Sequence, residues 1–453
     1  MKIAVVGCLH GELDIVYQQI ENFEKSKNII IDLVLICGDV QTIRNENDFK
    51  CLAVPPKYRR LGDFHQYYFG DKIIPKLTLF IGGNHEASNY LQTLPYGGWV
   101  APNMYYLGYC SVIRFGPLRI GGISGIFKQH DAKLGHFECL PYDQGTMRSI
   151  YHMREMEIYK LLQLPRTDNY KNQLLDIFMS HDWPINIHQC ATERNLNNLL
   201  NRKPFFRQEI EQCRLGNPLL QPLVHHFKPK YWFAAHLHVG FNVTVTHSNS
   251  QEQVSSESNQ SLPVIETQFQ ALDKVLPRRY FLHIEDIKID QDNNVVNDSL
   301  KFEYDPEWLA VLKKTDHLWK GSREQINGIN IFNCANEIEI TQNDLDEIAK
   351  QFSDGDFSIP NNFQPCKPVL DRTNDSDASR KINYTNPQTT SFCSKLGIWD
   401  PNEIFIEQKA DDVKNPDEID LDSSNDEDDD LDKSSNNKRM KSDMFFIDTK
   451  GTL

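Results

Sequence analysis

The sequence predicts an α/β fold, and two patterns carry this prediction. Short apolar runs rich in β-branched residues occupy positions 2–6, 33–37 and 77–81, and each leads into a glycine and a polar loop. Runs of this length fit strands that are buried on both faces. Residues 12–25 predict a helix, because apolar side chains recur there at helical spacing: Leu13, Val16, Ile20 and Phe23. The strand–helix–strand order implies a sheet with right-handed crossovers.

The elements that follow continue this pattern. Further strands are predicted at residues 113–115, 118–123, 176–179, 231–235 and 241–246, and helices at 148–162 and 207–213. Residues 248–262 are rich in Ser, Gln and Asn, which predicts a flexible insertion. Strand patterns return at 264–271 and 279–287. Residues 401–453 are acidic and rich in Ser and Asn, and we expect a disordered tail.

Composition narrows the class of protein. The net charge of the 453 residues is −15, but positions 410–432 hold 12 acidic residues and one lysine, a net of −11. The rest of the chain therefore carries only about −4 and can still present a basic face. The ten cysteines include no CxxC pair, which disfavours a zinc finger and suits a reducing compartment. We expect no membrane span, since no apolar run reaches about 18 residues.

Five polar elements, each placed after a predicted strand, offer metal ligands. They are Gly7-Cys8-Leu9-His10, Gly38-Asp39, Gly83-Asn84-His85-Glu86, Ser180-His181-Asp182 and His236-Leu237-His238. Ligands in α/β sheets gather at the carboxyl ends of strands, where these elements are expected to meet. Two divalent ions about 3.5–4 Å apart can generate a nucleophile and neutralise phosphoryl charge. A pair of ions needs a bridging carboxylate, and Asp39 is the natural candidate.

Each element by itself also has an ordinary structural interpretation. Asp39 could cap a turn, His181 could be structural, and His236 and His238 could be surface histidines. In an extended segment the last two would point to one side and could clamp one metal ion. Cys8 is a softer ligand than a carboxylate, so its pocket should bind metal more weakly or favour Zn²⁺ or Fe²⁺ over Mg²⁺. Cys8 could instead be a buried thiol that binds nothing. The five elements together favour a metal site.

The set resembles the calcineurin-like metallophosphoesterase superfamily, whose pattern is Asp-x-His, Gly-Asp, Gly-Asn-His-Glu/Asp, a lone His and Gly-His-x-His. Cys8 and Ala235 depart from this pattern. The RNA lariat debranching enzymes carry the same cysteine, and the resemblance to them covers about residues 1–290, with a weaker match at 386–398. It includes CLAVPPKY at 51–58, LPYGGWVAPN at 94–103, GGISGIFK at 121–128, GHFE at 135–138, SHDWP at 180–184 and YWFAAHLH at 231–238.

The resemblance implies a β-sandwich flanked by helices and two metal pockets that share one aspartate. One pocket would comprise Cys8, His10, Asp39 and His238, and the other Asp39, Asn84, His181 and His236. Divalent ions (Fe²⁺, Zn²⁺ or Mn²⁺) would fill them, and His85 would act as general acid for the departing 2′ oxygen. The reaction would be hydrolysis of the 2′–5′ phosphodiester at the branch point of excised intron lariats.

The family also has a recognition loop for branched RNA, which corresponds here to residues 124–154. Its basic side chains would contact phosphates, and its aromatic rings would stack on splayed bases. The expected RNA contacts are Phe127, Lys128, His136, Phe137, Tyr142, Arg148, Tyr151 and Arg154. The alternative is a loop whose aromatic residues pack on the body. The implied division is a catalytic domain at 1–247, the insertion at 248–262, a C-terminal domain at 263–400 and the tail.

Other expectations follow from the substrate class. A protein that processes introns is expected in the nucleus and in contact with branched RNA and splicing factors. The basic cluster Lys438-Arg439-Met440-Lys441 is a weak nuclear-import candidate. Two competing functions stay open at this point: another metallophosphoesterase, such as a protein phosphatase or nucleotide diesterase, and a binding module that has lost its metal ligands.

Overall fold

Two β-sheets pack face to face and carry helices on their outer faces. The computed structural model describes residues 1–165, 174–247, 264–288, 300–365 and 385–403. The predicted insertion at 248–262 and the predicted tail beyond residue 403 lie outside these ranges. Pro401 and Asn402 are buried, so packing continues just past the predicted start of the tail. No helix in the described ranges has the length and apolar character needed to cross a bilayer.

The first sheet is mostly parallel. Its strands are β1 (Lys2–Val6), β2 (Leu33–Ile36), β3 (Thr78–Phe80), β4 (Gly98–Ala101), β5 (Met104–Tyr106) and β12 (Leu282–Asp286). The spatial order is β12-β1-β2-β3-β5-β4. The central strands β1, β2, β3 and β5 pair in parallel, and only β12 and β4, at the two edges, run antiparallel. The three apolar runs at residues 2–6, 33–37 and 77–81 therefore form neighbouring strands.

The second sheet combines parallel and antiparallel pairs. Its strands are β6 (Cys110–Phe115), β7 (Leu118–Ile123), β8 (Ile177–Ser180), β9 (Tyr231–Ala234), β10 (Phe241–His247), β11 (Ile265–Ala271) and β13 (Phe302–Tyr304). The spatial order is β10-β11-β9-β8-β7-β6-β13. Strands β11 and β12 follow the predicted insertion, yet they pair with β9 and β1. Both sheets therefore draw on both sides of the predicted domain boundary.

Helices cover the outer faces of both sheets. They are α1 (Leu13–Lys27), α2 (Phe64–Tyr68), α3 (Ser88–Leu91), α4 (Thr146–Ser149), α5 (Glu155–Leu162), α6 (Glu193–Arg202), α7 (Phe206–Glu211), α8 (Gln221–Phe227), α9 (Pro306–Lys314), α10 (Gln342–Gln351) and α11 (Pro387–Leu396). One apolar cluster fills the space between the sheets, a second lies under α1, and a third lies under α5, α8 and α9. The central strands are buried on both faces, whereas β10 and β11 alternate between buried and exposed residues. The predicted α/β sandwich flanked by helices is confirmed.

One predicted helix is wrong in its extent. The sequence predicts a single helix over residues 148–162, but the structure has α4 and α5 with a break between them. Within the break, His152 pairs with Ile126 as an isolated β-bridge, and the Met153 amide donates to the Ile126 carbonyl at 2.8 Å. Tertiary pairing of the backbone overrides the local helical pattern there.

The sandwich brings the polar loops of both sheets to one edge. In the first sheet the His10 amide donates to the Asp39 carbonyl at 2.7 Å, which joins the loops after β1 and β2. In the second sheet the Ala235 amide donates to the His181 carbonyl at 3.0 Å, which joins the loops after β8 and β9. The carboxyl ends of these strands therefore meet, as expected for a ligand site in this class of sheet.

Candidate metal centre

Four of the predicted ligands form one compact group, which we call the Cys8 pocket: Cys8, His10, Asp39 and His238. One donor atom from each lies within 4.8 Å of all the others. The Nε2 atoms of His10 and His238 face each other at 3.1 Å, and His10 Nε2 lies 3.7 Å from Asp39 Oδ2. Cys8 is buried, and its sulfur accepts the His236 amide at 3.2 Å. Its position within the group favours a ligand role over that of an isolated thiol.

A second group, the Asn84 pocket, shares Asp39 with the first and adds Asn84, His181 and His236. His181 Nε2 lies 3.2 Å from Asn84 Oδ1 and 3.4 Å from Asp39 Oδ1. His181 Nδ1 donates to the Cys37 carbonyl at 2.6 Å, which fixes the ring so that Nε2 faces the two oxygens. A hydrogen bond of this kind from the second ring nitrogen is typical of metal-binding histidines. The ring centroids of His236 and His181 are 4.9 Å apart.

His236 and His238 do not clamp one ion from one side, as an extended segment would have them do. Strand β9 ends at Ala234, and both histidines have left-handed backbone, with φ of 59° and 48°. His236 lies beside His181 and Asp182, whereas His238 faces His10. The turn therefore sends the two rings to different pockets. The alternation of side chains along a strand does not apply to these histidines, because β9 has already ended before them.

Four of the predicted metal ligands adopt strained backbone. His10 and Asp39 have φ of 50° and 52°, and His236 and His238 share this left-handed region. For residues other than glycine this costs on the order of 1–3 kcal/mol each, and such residues cluster at functional sites. The surrounding sandwich must supply that energy. The spacing of residues in the sequence does not predict this backbone strain.

His85 stands next to both pockets without joining either donor set. Its amide donates to Asp39 Oδ1 at 2.9 Å, and its Nε2 accepts from Asn84 Nδ2 at 3.1 Å. The ring centroid lies 5.6 Å from that of His10. The Nδ1 atom is buried with no hydrogen-bond partner among the described residues. A partly exposed imidazole in this position can exchange a proton with a bound substrate.

Glu86 organises the loops around Asp39, although its motif alone assigns it no role. Its carboxylate accepts three backbone hydrogen bonds, from Val40 at 2.9 Å, Gln41 at 2.8 Å and Gly83 at 3.0 Å. The side chain is 3 % exposed. It therefore ties the loop after β2 to the loop after β3 and positions Asp39 relative to Asn84. Its place at the end of Gly83-Asn84-His85-Glu86 was the only signal in the sequence.

Two adjacent glycines offer a matched test of how closely the loops pack. A Cβ on Gly83 would lie 2.1 Å from Asp39 Oδ1 and 2.5 Å from its amide nitrogen, whereas on Gly82 nothing comes closer than 3.6 Å. We expect Gly83→Ala to lower kcat by about 100-fold or more, because displacements of about 1 Å near reacting groups have costs of this size. Gly82→Ala should stay within about twofold of the parent. Equal activity of the two variants would contradict this geometry.

Burial and neighbouring charge set the protonation of the donors. Burial lowers the pKa of His10 to about 4 and that of His238 to about 2, so both rings are neutral at pH 7. Burial alone would raise the pKa of Asp39, but the adjacent His181 and His85 hold it well below its usual range. Burial also raises the pKa of Cys8 well above that of a free thiol. A bound metal ion can deprotonate such a thiol outright.

The donor sets fit divalent cations. Asp39 Oδ2 is buried and has no hydrogen-bond partner among the described residues, although buried carboxylate oxygens are otherwise paired. Lone pairs of His10, His238 and Asp39 converge there without donors between them. A cation at that point would satisfy them, and Asp39 Oδ1 is turned toward the Asn84 pocket. Asp39 is thus placed to serve both pockets, and imidazole with thiolate suits Zn²⁺ or Fe²⁺.

Asp182 connects the metal loops to the recognition loop at residues 124–154. Its Oδ1 lies 3.6 Å from His236 Nε2, and its Oδ2 accepts the Phe127 amide at 2.9 Å. Burial raises the pKa of Asp182 to about 6. One carboxylate therefore orients a predicted metal ligand and anchors the start of the recognition loop. The sequence places Asp182 in a ligand motif but assigns it no role.

Some of the predicted RNA contacts are accessible. Arg148 is exposed, and four others are partly exposed: Phe127, Lys128, Phe137 and Tyr151. The Arg323 guanidinium lies 4.7 Å from the centre of the Phe137 ring. Tyr142 is also partly exposed, but its hydroxyl donates to Gln92 Oε1. Charge and aromatic surface are thus available on this loop, which is the combination that single-stranded RNA requires.

One predicted RNA contact, Arg154, is wrong, and a second, His136, is almost fully enclosed. Arg154 is fully buried and pairs with Glu138 Oε1 at 2.7 Å, and its guanidinium also donates to backbone carbonyls of the recognition loop. His136 is 4 % exposed, contacts Glu157 Oε1 at 2.8 Å and stacks on Tyr109 with ring centroids 4.3 Å apart. Both side chains hold the recognition loop together from the inside. The charge of Arg154 is directed inward because Glu138 lies there.

This reassignment predicts opposite effects for two arginines of the recognition loop. Arg154→Gln should lower the free energy of unfolding by about 3–5 kcal/mol, because Glu138 would stay buried without a full partner. Arg148→Gln should change it by less than about 0.5 kcal/mol, since the side chain is exposed. Urea unfolding of both variants measures this difference. Equal stabilities would place Arg154 at the surface.

Comparison with known proteins agrees with this site. The calcineurin-like phosphoesterase family model matches residues 1–240, and the family model for the C-terminal domain of lariat debranching enzyme matches residues 265–401. The curated lariat debranching enzyme of Gallus gallus is 46 % identical over 411 residues, which is 90 % of this chain and 72 % of the relative.

Relatives from other lineages match over similar lengths. The lariat debranching enzyme of Homo sapiens is 44 % identical over 409 residues, 89 % of this chain and 70 % of the relative. That of Arabidopsis thaliana is 40 % identical over 400 residues, 88 % of this chain and 86 % of the relative. The phosphoesterase family model covers both pockets and residues 124–154. The chain belongs to the lariat debranching enzyme family of calcineurin-like phosphoesterases.

Proposed function

We propose that this protein is a metal-dependent hydrolase that cleaves the 2′–5′ phosphodiester at the branch point of intron lariat RNA. The observation that carries the proposal is the shared carboxylate of Asp39 between two donor groups, with Asp182 joining them to the recognition loop. Family membership narrows the substrate from phosphoesters in general to branched RNA. The products would be a linear intron with a free 2′-hydroxyl and a 5′-phosphate.

The protein's own residues would have distinct tasks in this reaction. Divalent ions, when bound, supply a nucleophile at neutral pH and neutralise charge on the phosphoryl oxygens. Asp39 would hold the two pockets at a fixed separation. The hydrogen bonds of Glu86 would keep the loops after β2 and β3 in a fixed position relative to each other. His85 would hold the proton that the departing 2′ oxygen takes up. The Cys37 carbonyl would keep the ring of His181 in one orientation.

An aromatic-lined pocket adjoins the metal pockets. It lies between the loop after β3 and the recognition loop, and its lining includes Gly83, Tyr106, Tyr109, Tyr151 and Met153. Aromatic walls suit a base that is splayed out of a stack. Lys128 and Arg148, in the recognition loop, would contact phosphates. These features support RNA as the substrate over a phosphoprotein or a small ester.

A panel of substrates tests the proposed activity. The protein should be incubated with a 2′–5′ branched RNA, a linear 3′–5′ RNA of the same composition and p-nitrophenyl phosphate esters. We expect kcat/KM on the branched RNA to exceed that on the others by at least about 100-fold. Turnover of the linear RNA or the small esters at rates matching the branched RNA would instead indicate a general phosphoesterase.

We propose Fe²⁺, Zn²⁺ or Mn²⁺ as the working metal. Cys8 and the histidines are soft to borderline ligands that suit Fe²⁺ and Zn²⁺, and the oxygens of Asp39 and Asn84 also suit Mn²⁺. Metal-free protein should regain activity with these ions, and Mg²⁺ at the same concentration should restore less than about a tenth of it. The metal content of protein purified without added metal identifies the resident ion. Full activity with Mg²⁺ alone would contradict a ligand role for the Cys8 thiolate.

We also propose that the protein acts in the nucleus, where introns are excised, and contacts splicing factors there. The basic cluster Lys438-Arg439-Met440-Lys441 lies outside the described residues, so the proposal rests on the substrate. A fluorescent fusion of the full chain should concentrate in the nucleus, and capture from nuclear extract should recover splicing factors. Retention of the fusion in the cytoplasm would contradict the proposal.

A further inference from the structure

A loop between β11 and β12 forms one wall of the Cys8 pocket. The Val275 amide donates to the Cys8 carbonyl at 3.0 Å, and the Gly7 amide donates to the Phe281 carbonyl at 2.9 Å. A Cβ on Gly7 would lie 2.1 Å from the Asp273 carbonyl oxygen, so the two backbones touch. This loop is therefore held against the metal ligands themselves. Neither the predicted mechanism nor the recognition loop uses it.

The wall is strongly basic. Five cations lie on this loop or beside it, and we call them the basic rim: Arg60, Lys203, Lys274, Arg278 and Arg279. Arg279 pairs with Asp273 at 3.4 Å, and Arg60 pairs with Glu12 at 2.5 Å. Arg278 and Arg279 are exposed, and Lys274 is partly exposed. The rim concentrates positive charge on a protein that is acidic as a whole.

The charge of the basic rim reaches the metal ligands. Lys274 precedes Val275, which is bonded to Cys8, and Arg60 Nη2 lies 3.4 Å from the His10 carbonyl. A phosphate group next to the scissile one would enter this field. Cations beside a metal pocket repel a bound cation and attract a phosphate group.

The basic rim and the recognition loop adjoin different pockets. The recognition loop is anchored through Asp182 at His236, in the Asn84 pocket, whereas the rim adjoins Cys8, His10 and His238. In a branched RNA, three strands extend from the same branch nucleotide. Strands that diverge from a phosphate at the metal centre must leave in different directions, and one recognition loop can follow only some of them.

We propose that the basic rim binds the backbone phosphates of one strand of the branched RNA, a strand that does not pass along the recognition loop. This inference rests on the proposed function and assigns a second RNA-binding surface to the same site. Lys274 and Arg278 would contact phosphates directly, and Asp273 would position Arg279. Contacts with phosphates fix the register of the substrate without reading its sequence.

The test uses the double variant K274Q/R278Q in the full chain. Its matched control is K25Q/K27Q, which removes two charges from exposed positions in the last turn of α1. Kinetics are measured on a complete branched RNA and on three RNAs with one shortened strand each. The 2′ strand is shortened to a single nucleotide, so that the 2′–5′ bond is kept, and each of the other two is trimmed to the branch nucleotide. Metal content and thermal unfolding show whether the double variant is folded. If it is not folded, the single variant R278Q replaces it in the same measurements.

We expect the double variant to raise KM on the complete RNA about tenfold with kcat within about twofold. The slope of log(kcat/KM) against log[salt] should become about 0.7 shallower for each phosphate that the variant no longer binds. Trimming one strand should abolish the difference from the parent protein, and the control should behave like the parent. An unchanged KM, or the same penalty on all three trimmed RNAs, would overturn the proposal. Failure of the proposed function is distinguishable, because the parent protein would then not cleave branched RNA.

Discussion

Replacing Asp39 with asparagine should lower kcat on branched RNA by about 10³-fold or more and reduce bound metal at the same time. Asp39 Oδ1 faces His181 Nε2 at 3.4 Å, and Oδ2 faces His10 Nε2 at 3.7 Å. One carboxylate therefore serves both pockets. The amide of asparagine has only one oxygen and no charge, so at least one pocket would be missing a ligand, and metal catalysis depends on that charge.

Metal content and kcat should be measured on the same preparation of this variant. The matched control is Asp286→Asn, because Asp286 is two-thirds exposed at the sheet edge and pairs with Lys2. The control should keep its metal and its kcat within about twofold. If Asp39→Asn retained two metal ions and near-parental turnover, the two pockets would not share this carboxylate.

Replacing His85 with alanine should lower kcat by about 10²–10⁴-fold and leave RNA affinity nearly unchanged. His85 adjoins both pockets, but its ring is not part of either donor set. Removal of a general acid slows departure of the 2′ oxygen, which leaves poorly without a proton. Binding depends on the metal centre and on surface cations, and these stay in place.

The chemistry of the leaving group separates this role from a structural one. A diester with a nitrophenolate leaving group departs without protonation, so the penalty of His85→Ala should shrink to below about tenfold on that substrate. His225→Ala, at an exposed position on α8, is the matched control. A variant with parental kcat on branched RNA, or with an equal reduction on both substrates, would remove His85 from proton transfer.

Local patterns were sufficient to predict the α/β sheet and the ligand motifs, whereas the sandwich and the division of the ligands between two pockets came from the resemblance to a known family. Apolar runs marked the strands, and each ligand motif followed one of them. Backbone conformation was not predictable in the same way. The left-handed turns at His236 and His238 divide these residues between two pockets, and nothing in their spacing shows it. The carboxylate of Glu86 joins three backbone amides that only the folded loops bring together.

The recognition loop shows where reasoning from sequence fails. A charge or a ring in a loop predicts contact with RNA only if no partner inside the protein takes it. Arg154 pairs with Glu138, and His136 packs against Tyr109 and against Trp319, a residue far along the chain. The basic rim was missed for the opposite reason. Lys274 and Arg278 follow a strand beyond the predicted insertion, and only β11 and β12 bring them to the Cys8 pocket.

The most direct test of the central claim is to identify which bond the protein breaks. A branched RNA with a different label on each of its three strands should be digested to completion, and the ends of every product determined. We expect one cut per molecule, at the 2′–5′ linkage, leaving a 5′-phosphate on one product and a free 2′-hydroxyl on the other. Cleavage within the 3′–5′ strands, or phosphate left on the 2′ oxygen, would contradict the account.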